Sequence, residues 1–500
     1  MRPWALAGAL CGATVCVGCG DGGAGEIAPC SAAAIGEVVP GFEMNPNNHL
    51  SALVTATSLE TLQLAVRFVD SMGYTRETHW SNEGRTHALT VVGMRAETSY
   101  SLELVARAAG CDAMDAVVVE TVEFETGALP PDTRIPVERD TSSGMQPDWY
   151  TLLGPGQRPT VLNPEETDEP YLLALDGEGE IVWYYRDLEI PGFYITRDVH
   201  QLPDGRLLMQ AFNELRVIDI DGTTSLSLAP TSDEVELHHD NIPLSNGGFL
   251  ALKLEEREVF SPSLGGMVTL VGDGLVEWDA AGNLVWEWST FDHLDVDRFP
   301  GPLSSSPPLF GTEALDWTHA NGLFEREDTN SYLISLRHQN WIIDVSRETG
   351  DVRWRFGPGG DFPLTGEGGA PAEWFYSQHA PSIDASGALW LYDNGNERPL
   401  APDTYSRAVR YRLDESAMTA TQEWSYETEH YTAYLGDVWP FPDGEGALVC
   451  AGGLLDGTSL AYVEEVASEA NAAPGWRLGY GPDTVVYRAR RIESFYPSAE

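Results

Sequence analysis

Five hundred residues exceed one ordinary domain, and a composition 42 % hydrophobic and 21 % charged belongs to a globular chain. Fifty glycines and 15 tryptophans, with Lys253 the sole lysine, favour a turn-rich all-β protein over a helical one. A formal net charge of −48 excludes nucleic-acid binding and attraction to an anionic lipid surface.

Residues 1–18 read as an export signal, in which Arg2 precedes a small, apolar run from Trp4 to Gly18 that is too short to span a bilayer. The end of that run, Val17-Gly18-Cys19-Gly20-Asp21, resembles a bacterial lipoprotein cleavage site. It implies lipidation at Cys19 and a flexible tether over residues 19–29, although Cys16 stands where leucine is usual. The expected location is therefore the periplasm or cell surface, as a lipid-anchored outer-membrane lipoprotein; plain secretion is the other reading. No later segment is long and apolar enough to cross a membrane.

Residues 30–128 hold short alternating runs, among them Leu50 to Ala56, Leu62 to Phe68 and Ser101 to Ala106, that predict a small β-sandwich. The run Glu97 to Leu104, with Tyr100 inside it, is similar to a late strand of fibronectin type III domains. Cys30 and Cys111 fall within this unit, and an oxidising compartment predicts a disulfide between them; two buried thiols are the alternative. Cys450, in an apolar run, reads as core. Residues 129–146, rich in Pro and Thr, read as a linker.

From residue 147 to 496 a repeat governs the sequence. One half is a turn before a Trp-rich strand, as in Asp176-Gly177-Glu178-Gly179 before Trp183, Asp279 to Gly282 before Trp286, and Gly350 before Trp354. The other half is a strand, a turn at Gly205, Gly247, Gly387 or Gly444, and an apolar strand. Such repeats predict propeller blades. Five turn-type copies, plus a sixth sheet near Trp183 completed by the C-terminal strand Thr484 to Arg491, predict a six-bladed β-propeller. Closing the ring with both chain ends hides the sheet edges.

Eight residues before Gly247 and Gly387 stand His239 and His379, and His319 holds the matching place in a copy with a longer turn. Equivalent positions on innermost strands face one channel, so three histidines converge there; His238 competes with His239 for its place. Recurring structural His–turn contacts would give the same pattern. Three histidines also suit zinc, but no carboxylate pattern completes a shell beyond Asp240, and no metal is expected. Asn321, two residues after His319, is expected on the same face of an extended strand. Arg337 ends the next strand and adds a cation suited to a tetrahedral oxyanion; a salt bridge to one of the many acids is its bland reading. The Gly/Pro-rich loop from Gly357 ends in Trp374, Phe375 and Tyr376 just before His379, which suggests that Trp374 and Tyr376 cover the channel mouth and stack on a substrate ring; an interblade loop with Trp374 in the core is the alternative.

The motifs Asp316-Trp317-Thr318-His319-Ala320-Asn321, Ser335-Leu336-Arg337, Trp354-Arg355-Phe356-Gly357 and Gln378-His379 resemble the bacterial aryl-sulfate sulfotransferases, exported six-bladed propellers with an N-terminal β-sandwich. The resemblance implies transfer of a sulfuryl group from an aryl sulfate to a phenol through a sulfohistidine at His379, with no nucleotide donor and no cofactor. His239, His319, Asn321 and Arg337 would be its other channel residues, and small phenols and aryl sulfates its partners. The rival readings are a non-enzymatic surface propeller that binds a glycan or protein, and a quinone-dependent dehydrogenase, whose propellers carry similar Gly-to-Trp repeats.

Overall fold

The computed structural model describes residues 34–157, 171–186, 198–211, 213–230, 235–301, 304–305, 314–399, 404–453, 460–468 and 473–496. The export signal, Cys19, the tether and Cys30 lie outside them. The described chain is all β, without an α-helix.

The N-terminal unit is organised by one long strand, Ala52–Asp70. Its first half pairs with Val38–Met44 and Gly84–Val91, its second with Ser99–Ala108. Alternating apolar side chains such as Val54, Leu64, Val66 and Phe68 fill the space between the two halves. The Tyr100 hydroxyl accepts the Arg95 backbone N–H at 2.8 Å, closing a corner of the kind seen in fibronectin-like sandwiches. Cys111 is disulfide-bonded; the expected pairing with Cys30 falls outside the described residues. Cys450 is a free, buried thiol.

Six further sheets follow, each with four antiparallel strands at its core. The innermost strands are, in ring order, Val199–Gln201, Glu236–Pro243, Ala320–Arg326, His379–Ile383, Asp437–Pro440 and Thr484–Ile492. We number the blades first to sixth in this order. The C-terminal strand Thr484–Ile492 pairs antiparallel with Tyr150–Gln157, so the sixth blade is built from both ends of the propeller segment. The stretch expected as a linker is not only a linker, because Glu138–Asp140 adds an edge strand to Trp476–Tyr480 of the fifth blade.

The Trp-and-Gly repeat has a direct physical meaning. Trp183 of the sixth blade donates its indole N–H to the Ile220 carbonyl in the first blade, at 2.8 Å. Trp288 of the second blade does the same to Gly350 in the third, and Trp476 of the fifth to Gly177 in the sixth, both at 2.8 Å. Each ring buries apolar area between two sheets while its one polar atom is satisfied by the neighbour's turn.

The sandwich packs on the face of the ring that carries these tight turns. Arg95 donates to Asp176 at 2.7 Å, Asn48 to the Tyr184 carbonyl at 3.0 Å, and the Tyr496 hydroxyl to the Thr90 carbonyl at 2.7 Å. The opposite face, where innermost strands begin, carries the histidines.

The fifth and sixth blades are pinned by Arg491, which donates to Glu465; both side chains are 0 % exposed. Removing one partner of such a pair strands the other charge, at a cost of about 3–5 kcal/mol. Arg491→Met should therefore lower the urea midpoint strongly, and adding Glu465→Leu should restore most of it. A double variant no more stable than Arg491→Met would refute this account.

Candidate active site

The innermost strands are irregular where the histidines sit. His239 and His319 hold left-handed backbone, with φ of 53° and 49°, and Ala380 beside His379 has φ of 51°. All three strands slip register there, between His238 and Asn241, Ala320 and Gly322, and His379 and Ser382. Bulges of this kind re-aim side chains. Asp273 enforces one of them by accepting from the Thr318 hydroxyl and, at 2.7 Å, from the Ala320 N–H, which grips the chain on both sides of His319.

The His239 and His319 rings meet edge to face with centroids 4.8 Å apart. His238 lies behind them, its Nδ1 2.8 Å from His239 Nδ1 and its Nε2 3.2 Å from Asp273. A fourth histidine, His338, completes the group, its ring centroid 4.6 Å from that of His319. It directly follows Arg337 in sequence, and sequence reasoning missed it.

Partners that can only donate or only accept fix three tautomers. Asn394 spends its amide N–H groups on the Thr432 and Leu435 carbonyls, both at 2.8 Å. Its oxygen therefore faces His379 and accepts from Nδ1–H at 2.6 Å, which leaves the lone pair on Nε2. Asp316 accepts from His319 Nδ1–H at 2.6 Å and leaves a lone pair on that Nε2. Arg337 donates to His338 Nε2 at 2.7 Å, so His338 carries its proton on Nδ1, 3.1 Å from the Asp316 carbonyl.

His379 is 2 % exposed. Burial, and then the charge of Arg337, push its imidazole well below the ordinary value near 6.5, against the opposing bond to Asn394. Burial also lowers His319, although Asp316 works to raise it. Asp316 is held far below the usual carboxylate range: burial alone would raise it, but His319 and His338 prevail.

Arg337 forms no salt bridge with any described residue. It donates to the Ala433 carbonyl at 3.1 Å and to His338, and its Nε is buried without a partner. Burial lowers its pKa, as it must for a guanidinium that no carboxylate touches. Arg337 and His338 wall a cavity of about 340 Å³ that also takes in Tyr376 and Glu397. Trp374 stands apart from this mouth; its ring packs on Phe356, with centroids 5.3 Å apart.

Asn321 departs from expectation. The bulge after His319 breaks the alternation of a regular strand, so the two side chains do not share a face. Asn321 instead donates to the carbonyl of Gln378, the residue before His379, at 2.9 Å, and its own oxygen is buried without a partner. Asn394 was also missed; its signal was a polar run, Asp393 to Asn396, after an apolar strand.

Two groups among the described residues bring three possible metal donors within 4.8 Å of one another: Asp316, His319 and His338, and Asp198, His200 and Asp240. A guanidinium adjoins each, Arg337 beside His338 in the first and Arg488 on both aspartates in the second. Those cations oppose a metal ion.

The arylsulfotransferase (ASST) family model matches residues 138–488, and the chain belongs to this family. It is 24 % identical over 324 residues to the arylsulfate sulfotransferase AssT of Escherichia coli O6:H1, covering 52 % of this chain and 53 % of that protein. It is 22 % identical over 324 residues to AssT of Lelliottia amnigena, with the same coverage of 52 % and 53 %. The chain thus spans about half the length of the curated relatives it matches. Among solved structures, a luciferin-regenerating enzyme aligns with TM-score 0.34 and 13 % identity over 70 % of this chain and 97 % of that one. Dihydro-heme d1 dehydrogenase NirN aligns with TM-score 0.30 and 11 % identity over 72 % and 77 %. Neither likeness bears on the chemistry.

The depressed pKa of His379 has a consequence for stability. As pH falls through about 6.5 the unfolded chain takes up a proton at this residue and the folded chain does not, so stability declines on acidification. Between pH 7 and 5 the melting temperature of His379→Gln should fall less than that of the unmodified protein. Parallel curves would show that His379 titrates normally in the fold.

Proposed function

We propose that the protein moves a sulfuryl group from an aryl sulfate to a phenol through a sulfohistidine at His379. The observation that carries this reading is Arg337, a half-buried guanidinium without a carboxylate partner in the wall of the cavity, whose charge helps keep His379 neutral. In a chain of net charge −48, a cation left unpaired in this way is suited to an anionic substrate.

The chemistry follows from the tautomers. His379 Nε2 attacks sulfur in line with the aryl oxygen, the N–S bond forms as the S–O bond breaks, and Arg337 balances charge on the equatorial oxygens. For this step the His239–His319 pair enters with one extra proton beyond the neutral tautomers, and the departing phenoxide takes it. An acceptor phenol then returns that proton to the pair as its oxygen attacks sulfur and the N–S bond breaks. A phenol of pKa near 10 leaves and attacks readily with such help. Asn321 serves by fixing the backbone before His379. We place this activity outside the cytoplasm, in keeping with the disulfide at Cys111.

His379→Asn should abolish transfer from a chromogenic aryl sulfate. Brief incubation of the unmodified protein with donor alone should give a peptide containing residue 379 that is heavier by one SO3 group in mass spectrometry. Full activity of His379→Asn would end this proposal.

Because burial keeps His379 neutral, its loss of activity in acid should begin below the ordinary imidazole range near 6.5. Asn394→Asp would set an anion against Nδ1, favour the imidazolium and move that acid limb to higher pH. An unshifted limb with only a lower maximum would mean that Asn394 is merely structural.

A further inference from the structure

We propose that Glu397 makes this site selective for phenols that carry a protonated amine. The inference rests on the sulfuryl-transfer reading and names the acceptor class for the same cavity.

The cavity of about 340 Å³ is charged at two places that do not neutralise each other. Arg337 and His338 lie in its wall on the histidine side. Glu397 is exposed and makes no salt bridge with a described residue. Its carboxylate lies against Gly301, where a Cβ added to the glycine would stand 3.4 Å from Oε2. The charge of Glu397 still reaches Arg337 and favours its protonated state. Between them the wall is organic in character, with Tyr376, Pro300 and Pro399. A volume of this size holds one aromatic ring with a short substituent.

Such a cavity orients a dipolar ligand. A phenol whose hydroxyl lies at the Arg337–His338 wall, the side on which His338 meets His319, places a para substituent toward Glu397. An ammonium there gains an ion pair, a carboxylate meets repulsion, and an uncharged alkyl group meets neither. The overall charge of −48 acts in the same direction, since it concentrates cations and depletes anions near the surface. A bare metal ion would gain little from a wall of tyrosine and proline, so the fitting cation is organic.

The test compares kcat/KM for three acceptors of similar size: para-(aminoethyl)phenol, para-ethylphenol and para-hydroxyphenylpropanoate. The amine should exceed the neutral phenol by roughly threefold to fivefold, and the carboxylate should fall below it by a similar factor, the scale of an exposed ion pair. In Glu397→Gln both ratios should approach one, and in the unmodified protein they should shrink in about 1 M salt. If para-ethylphenol is sulfated but the ratios begin near one, or persist in Glu397→Gln, the role of Glu397 is wrong and sulfuryl transfer stands. If no phenol is sulfated, the transfer reading fails and this inference falls with it.

Discussion

Arg488 reaches the axis of the ring from the closing strand and donates to Asp198, to Asp240 and to the Asn321 carbonyl, one group in each of the first three blades. Arg490, two residues on, donates to Asp198 and to Asp437 of the fifth blade. Burial alone would raise Asp198, yet Arg490, His200 and Arg488 together hold it well below the carboxylate range. An unmatched charge at this depth costs several kcal/mol, so the network tolerates little displacement of one innermost strand against another. Asp240 carries the constraint into the site, because its second oxygen accepts the Leu323 N–H at 2.6 Å and joins the strands that follow His239 and His319. The meeting of those two rings is thus set from below, by ion pairs one layer beneath them.

The histidines above that layer differ in what supports them, and the difference sorts their roles. His379 leans on a carboxamide, which fixes its tautomer without adding charge, and a neutral imidazole is what a nucleophile requires. His319 leans on a carboxylate, which favours the imidazolium and suits a group that must both hold and release a proton. The charge of Arg337 disfavours protonation of both histidines, and it ranks higher among the causes at His379 than at His319. Two residues of one type, at matching places in adjoining blades, are driven apart in character by their neighbours.

Much of this was legible in the sequence because repetition is a strong signal. The turn glycines, the tryptophans and the histidine register announced blades, and the lack of an upstream partner for Trp183 pointed to closure by Thr484 to Arg491. Arg337 and Tyr376 line one cavity. Other elements were not legible, each for a physical reason. Asn321 was misaimed because alternation presumes a regular strand, and one left-handed residue at His319 cancels it. The sequence left Trp374 open between a lid and the core, because a loop sequence does not say which aromatic rings pair with the core, and its ring packs on Phe356. Asn394 acts on His379 from the end of the next strand, and the Arg488 network joins positions hundreds of residues apart, as in its bond to Asp240. Such pairings leave no local trace in sequence.

The acidity of the chain and the anion-directed site stand in apparent conflict, and burial resolves it. Exposed carboxylates act through water and salt, where a field fades within a Debye length of about 8 Å at physiological ionic strength. Arg337 is half-buried in the cavity wall, where its charge is screened less than at the open surface, and none of the 77 acidic residues forms a described salt bridge to it. Asp316, the carboxylate that acts on it most strongly, is engaged by His319 and His338 instead. The histidines therefore do more than chemistry: by occupying Asp316 they keep the guanidinium open to a tetrahedral anion.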